Sequence, residues 1–347
     1  MAIKQLSLNY SLNTGSKWIY CNFPEKLPTD AYGDKNAGSH CLNRQTVSGS
    51  GQIFYSYNCQ KLSGACNFGI RVYNPGTSSV TFTRTNYGHS NSKEAGGWDP
   101  IAVKSWQRFF QSASKKFTIP AKGSVWICEE AIPENVIFSG NLRFTASASV
   151  VIAVYIYKSK SNIADSTGIY PYDINNKSTH SQYSGYGNGY YLTASGITIK
   201  LSDILNNGGV YFTTNSRTND KFTVNNSSTM DEIVPIHIAG TSYIAKISEQ
   251  VPLRNLANWS TQYYFPITFI NDLDSRAHTV RCQICSPDTN KKIPIINCGG
   301  IVSSHTITSS VEPWEWKTVS VKDKLTLNYQ FILGTNSYAE IRHMFVM

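Results

Sequence analysis

FGIRVYNPGTSSVTFTR, residues 68–84, decides the fold. Apolar side chains recur at every second position through Phe68, Ile70 and Val72 and again through Val80 and Phe82, with Asn74-Pro75-Gly76 between the runs. Period-two alternation broken by Asn, Pro and Gly predicts two half-buried strands joined by a turn. A second stretch, FPITFINDLDSRAHTVR at 265–281, repeats the order: a strand ending in Asn, a polar turn, a strand ending in Arg. Beyond them, WQRFFQSASKKFTIPAKGSVWI (106–127) and WEWKTVSVKDKLTLNYQFIL (314–333) each place a Trp before a strand, a Lys-containing turn and another strand. The shared order points to a duplicated unit.

Outward from these stretches the same alternation recurs at 51–57, 116–119, 125–128, 140–144 and 150–155, then at 210–213, 234–239, 325–331 and 340–346. Many short strands with turn residues between them predict an all-β chain of two β-sandwich domains, Ig-like or jelly-roll-like. With 347 residues the expected division is an N-terminal sandwich over 1–160, a linker over 161–189 rich in Ser, Asn, Gly and Tyr, and a C-terminal sandwich over 190–347. One short helix is expected near 100–113. Asp99 would cap it, Pro100 would open it, and Trp106 and Phe110 would close an open end of the sandwich as core.

Charged residues make up 15% of the chain, well below the roughly 25% of an average domain, while 12% are aromatic. That composition excludes a disordered chain and suits a β protein that meets other surfaces. The net charge of +9 is spread along the sequence, with only pairs such as Lys115-Lys116 and Lys291-Lys292. No specific nucleic-acid partner is expected from it. The N-terminus lacks the apolar core of a signal peptide, and no run of about 18 apolar residues occurs. Synthesis in the cytoplasm without a transmembrane segment is the expectation, with spore, inclusion or surface association afterwards.

Cys282 and Cys285 fall on opposite faces of an alternating strand, which does not suit a redox helix motif. Cys41, Cys59 and Cys66 lie in or near Gly/Asn/Ser-rich segments read as loops, and are the candidates for disulfides within or between subunits. No metal or cofactor is expected. Glu129 and Glu130 follow Trp126 in a mixture of carboxylates and aromatics seen at sugar sites, but neighbours on a strand point to opposite faces and cannot form a glycosidase pair. The seven histidines are dispersed, and no hydrolase, metalloprotease or nucleotide-binding motif is present. The chain is therefore read as no enzyme. Contact or stacking residues are sought in Trp98, Tyr183, Tyr186, Tyr190, Tyr191, Trp259, Trp314 and Trp316, with Trp18 a further candidate for stacking on sugars.

The segments GQIFYSYN (51–58), FGIRVYNPGTSSVTFTRTNYGHS (68–90), GGWDPIAVKSWQRFF (96–110), FTIPAKGSVWICEE (117–130) and ILGTNSYAEIRHM (332–344) together resemble uncharacterised two-domain β-sandwich proteins of spore-forming Firmicutes. The resemblance implies a bacterial origin and a spore, parasporal or cell-surface setting, and it carries no catalytic residues.

These readings converge on a self-assembling structural protein of a spore, parasporal inclusion, surface layer or fibre, whose partner is a second copy of itself. Two alternatives stand beside it: a module that binds glycans or a host surface, and a pore-forming or insecticidal toxin stored as an inclusion. The toxin reading needs a segment able to become a membrane hairpin, sought in 193–229.

Overall fold

The computed structural model describes residues 3–12, 15–22, 27, 39–59, 64–98, 100–163, 184–188, 191–214, 234–235, 260–287, 292–307, 312–334 and 340–347. The chain is all-β and sandwich-like, and its described residues form three sheets in two compact units. One unit comprises Thr14–Gly189 and Met230–Arg254, and is inserted in sequence into the other, which comprises Met1–Asn13, Tyr190–Thr229 and Asn255–Met347.

The inserted unit is built on two long strands, β4 (Ser39–Asn58) and β9 (Ile137–Tyr157), which pair antiparallel along nearly their whole length. The pairing shifts register between Val47 and Gly49, and Gly49 adopts a φ of 75°, a left-handed value that glycine takes without a Cβ penalty. On one side of that bulge β9 pairs with β6 (Val80–Asn91), on the other with β5 (Cys66–Tyr73). The two halves face each other: Tyr55 of β4 lies 4.3 Å from Phe68 of β5 between ring centroids, and Phe138 of β9 lies 5.3 Å from Phe68. The sheet is thus two layers of a sandwich made continuous by β4 and β9, around a core that includes Ile53, Ile70, Phe82, Leu142 and Val154. β3 (Lys17–Cys21), β7 (Lys115–Ile119), β8 (Ser124–Ile132), β10 (Ser184–Asn188) and β14 (Val234–Pro235) complete it.

The enclosing unit has two sheets. The first runs β1 (Lys4–Gln5), β13 (Val210–Thr214), β21 (Ile341–Val346), β16 (His278–Cys285), β19 (Trp314–Val321). The second contains β18 (Ile301–Ser304), β17 (Pro294–Cys298), β20 (Lys324–Leu333), β15 (Gln262–Ile270), β11 (Tyr191–Ala194) and β2 (Tyr10–Leu12), with β12 (Ile197–Lys200) also on β15. Residues 3–12, the start of the chain, therefore supply strands to the unit built mainly from the last third of the chain.

The duplicated order of the sequence has a structural counterpart. β1 runs parallel to β13, which is antiparallel to β21, then β16, then β19; β3, β4, β9, β6 and β7 follow in the same order and the same senses. β15 pairs antiparallel with β20 as β5 does with β8. The aligned asparagines hold the same corner. The Asn74 N–H donates to Gly123 O, its Nδ2 donates to Ser78 O, Ile119 O and Pro120 O, and its Oδ1 accepts from the Gly76 N–H. Asn271 donates its N–H to Asp323 O and its Nδ2 to Asp274 O, Arg276 O and Lys322 O, and accepts from the Leu273 N–H. In both units one amide closes its own turn and ties it to the turn of the neighbouring strand pair.

Among the described residues there are three α-helices, α1 (Ser92–Ala95), α2 (Ile101–Gln111) and α3 (Leu201–Asn207). α2 is the helix read from sequence, with two corrections. Pro100 stands just before it as the N-cap, and Asp99 lies outside the described residues. The helix also does not close an end of the sandwich. Its apolar stripe of Ile101, Ala102, Trp106 and Phe109 lies against the outer face of β6 and β9. Gly88 permits this, because a Cβ there would sit 1.9 Å from Ser105 O. Trp106 is buried as expected, whereas Phe110 is only partly buried and stacks on Trp106 with centroids 5.5 Å apart. Within the stretch considered as a membrane hairpin, α3 separates β12 from β13.

Candidate functional site

The densest chemistry lies on β8 and its neighbours. Ile70 pairs with Cys128 and Arg71 with Trp126, so Ile127 is an extra residue that bulges the strand. Ile127 and Cys128 both enter the core, and beyond them the side chains alternate again. Glu129 then faces outward with Trp126, and Glu130 faces inward. The two carboxylates take opposite faces, as strand geometry requires.

On the outer face, the Trp126 indole covers Gly69, whose added Cβ would come 2.7 Å from the ring. Tyr155 and Tyr157 of β9 flank the ring at 5.7 and 5.3 Å. Arg71 and Lys160 each hold a charge 5.9 Å from its centroid. Glu129 binds Lys160 at 2.5 Å and accepts a hydrogen bond from Tyr157 at 3.0 Å. Burial, then this bond to a carboxylate, raises the Tyr157 phenol above its ordinary value, so it remains a donor. Arg44 reaches the Tyr155 hydroxyl at 3.4 Å. The result is an aromatic bed of two buried tyrosines and a partly exposed indole, rimmed by cations and one carboxylate.

On the inner face a chain of polar groups crosses the core. The Tyr55 hydroxyl meets His89 Nδ1 at 3.0 Å and the Tyr87 hydroxyl at 3.2 Å, and Tyr87 donates to Glu130 Oε1 at 2.5 Å. Burial lowers the His89 imidazole to about 4, with Glu94 opposing and Arg108 assisting. Burial also raises Glu130, Tyr55 and Tyr87, and pushes Cys128 up to about 12. The histidine is therefore uncharged and the phenols and thiol keep their protons near neutral pH. The enclosing unit repeats the theme. His343 is buried with Nδ1 at 2.9 Å from the Tyr329 hydroxyl and Nε2 at 3.1 Å from Thr214 Oγ1, and burial lowers it to about 3. These histidines have the environment of core hydrogen-bonding groups, without the poise near neutral pH that acid–base catalysis uses. Among the described residues no three His, Cys, Asp or Glu side chains gather as a metal site.

The residues singled out in the sequence are dispersed. Trp98 is exposed, at 43%. Trp314 and Trp316 are partly buried on β19, the first stacked on His305 and the second packed on Tyr329. Tyr191 pairs with Gln262, and Tyr186 sits between Ile19 and Val234 in register. Tyr183, Tyr190 and Trp259 lie outside the described residues. Trp18 is fully buried, which removes it from the stacking candidates.

Of the three cysteines read as lying in or near loops, Cys41 is on a strand instead, while Cys59 and Cys66 flank a connection between strands. Cys41 lies inside β4 with its thiol on Asn43 O at 3.2 Å, Cys66 opens β5, and Cys59 directly follows β4. All three are buried free thiols. Cys282 enters the core while Cys285 meets Met344 on the other face, as the alternation predicts. Trp126 was missed as a contact residue. The signal was present in Gly69 one strand away, but it needs the β5–β8 register to be seen.

No protein-family model and no curated protein matches the chain. Among solved structures it is similar to tripeptidyl peptidase 2, with 9% identity and a TM-score of 0.22 over 90% of this chain and 23% of that one. It is similar to a Paenibacillus xanthan lyase at 11% identity and a TM-score of 0.18, over 92% and 26%. A Lactobacillus farciminis oxalate decarboxylase gives 8% identity and 0.13, over 87% and 85%. The chain spans about a quarter of the length of the first two. Likeness at these TM-scores carries neither a fold nor an activity to this chain.

Proposed function

We propose that the chain is a non-catalytic structural protein that associates with copies of itself through the edges and faces of its sandwiches, in a bacterial spore, parasporal inclusion, surface layer or fibre. The observation that carries this reading is the edge strand β18. It pairs only with β17 among the described residues, contains neither charge nor proline, and exposes Ile301 to 71%. An uncharged edge with unpaired backbone groups is a template for another strand, and natural proteins usually blunt such edges with Lys or Pro. The β7 edge is blunted in that way by Lys115 and Lys116. Interior ionisable groups held in neutral forms, and the resemblance to proteins of spore-forming bacteria, support the same reading.

Negative-stain electron microscopy of the concentrated protein tests it. Filaments, sheets or crystals that Ile301→Lys disperses are the expected result. Dispersed particles for the unaltered chain under both reducing and oxidising conditions overturn it.

A second reading, a module for glycans or a host surface, is favoured by the aromatic bed over Gly69. Trp126 with its flanking cations offers a flat ring and hydrogen-bond donors to an acidic sugar. A glycan array on which Trp126→Ala and the unaltered chain give the same pattern removes this reading.

A further inference from the structure

Cys59 and Cys66 bracket the connection by which the chain leaves one layer of the inserted sandwich and enters the other. β4 ends at Asn58, paired with Ile137, and β5 begins at Cys66 in the facing layer, paired with Ile132. The Cys59 N–H donates to Val136 O at 2.7 Å. Both cysteines are thereby pinned by the two ends of one short segment, Ile132 to Val136. Their side chains are 0% and 4% exposed, belong to the same core, and hydrogen-bond to each other.

We propose that Cys59 and Cys66 form an oxidative modification site, in which a small-molecule disulfide such as oxidised glutathione converts the two thiols to an intrachain disulfide that staples the layers together. One thiolate attacks the external disulfide, forming a mixed disulfide and releasing one small thiol. The second thiolate then displaces the other small thiol and closes the Cys59–Cys66 bond. The pair loses two electrons and two protons, and the oxidant becomes two thiols. The site goes beyond the self-association reading and stands without it.

Contact with Cys66 and burial hold the Cys59 thiol far above its ordinary range, so thiolate is scarce while the fold is closed. Exchange therefore runs through opening of this end of the sandwich or through folding itself. Lys158, whose ammonium binds Ala65 O at 2.6 Å, places a cation beside the pair that favours the thiolate once water enters. Side chains already in contact need little backbone movement to reach disulfide geometry.

The experiment is to refold the full chain from urea in a glutathione redox buffer, quench it with an alkylating agent under denaturing conditions, and map peptides by mass. The expected result is a 59–66 link with the remaining cysteines alkylated, and a melting temperature several degrees higher that reductant reverses. Cys59→Ala and Cys66→Ala are each expected to abolish the shift, while Cys298→Ala keeps it. Recovery of Cys59 and Cys66 both alkylated, only as glutathione adducts, or linked to other cysteines overturns the proposal. The map of the unaltered chain decides the matter even if a variant fails to fold.

Discussion

The two units carry out the same plan by different means. Both order five strands identically and both brace a corner with one asparagine, yet the inserted unit threads β4 and β9 through both layers, while the enclosing unit assembles its layers from separate strands. Beside β15 it places the short parallel strands β11 and β12 where the inserted unit places the second half of β9 beside β5. Covalent continuity couples the layers in one unit. In the other the coupling rests on side chains such as Phe212, Phe265 and His343, whose rings meet at 4.8 to 5.0 Å. Aromatic rings bridge the layers of the inserted unit too, through Tyr55, Phe68 and Phe138, so the same topology survives the loss of continuous strands on packing alone.

Acid breaks both units and ranks them. Above pH 6.5 His89 and His343 are neutral folded or unfolded. Below it the unfolded chain binds protons that the folded chain refuses, down to about 4 for His89 and about 3 for His343. Stability is present above pH 6.5 and lost as pH falls, by up to about 1.4 kcal/mol per pH unit for each histidine. Glu130, raised by burial, works in the opposite sense between its folded value and 4.5. Urea titrations at pH 7 and pH 4 are expected to show a loss of several kcal/mol, with the enclosing unit weakened more. His343→Gln should flatten the loss in that unit and leave the inserted unit unchanged.

Gly88→Val attacks only the inserted unit, since the enclosing unit has no helix at the matching strand β16 among the described residues. The added side chain collides with Ser105 O and the Phe109 N–H, and a cost of about 3 kcal/mol is expected in chemical denaturation. The corners give a finer comparison. Asn74 is fully buried and Asn271 partly exposed, so Asn74→Ala is expected to cost about 3 kcal/mol and Asn271→Ala about 1 kcal/mol. Equal costs would mean that water does not substitute for the lost amide at Asn271. Ile301→Lys is the smallest change, within about 0.5 kcal/mol in the stability of the isolated chain, with its effect confined to association.

Much of this architecture was legible in the sequence. Alternation through Phe68–Val72 and Phe265–Phe269 locates the strands and aligns Asn74 with Asn271 as strand ends, whereas the tie each amide makes between two turns is visible only in the structure. Cys41 was misread because Ser, Asn and Gly around it look like a loop, whereas they lie on a strand of twenty residues whose polar positions pair with β9. The aromatic bed around Trp126 depends on a bulge at Ile127 and on Gly69 across the ladder, and local periodicity contains neither. The helix was legible through its Pro and its aromatics, but its place on the outer face follows from Gly88, a missing side chain on another element.

The pairing of Lys4 with Val210 has a consequence for the order of synthesis. At the usual rate of about 5–20 residues per second, on the order of 10–40 s separate the emergence of β1 from that of its partner. During that interval the ribosome delivers nearly everything the inserted unit requires up to Gly189, so that unit is positioned to fold while β1 and β2 wait. The enclosing unit cannot finish its first sheet until β21 arrives to bridge β13 and β16. A nascent chain stalled near residue 200 should therefore protect Ile53 and Phe144 from proteolysis and leave Leu6 and Tyr10 open to it.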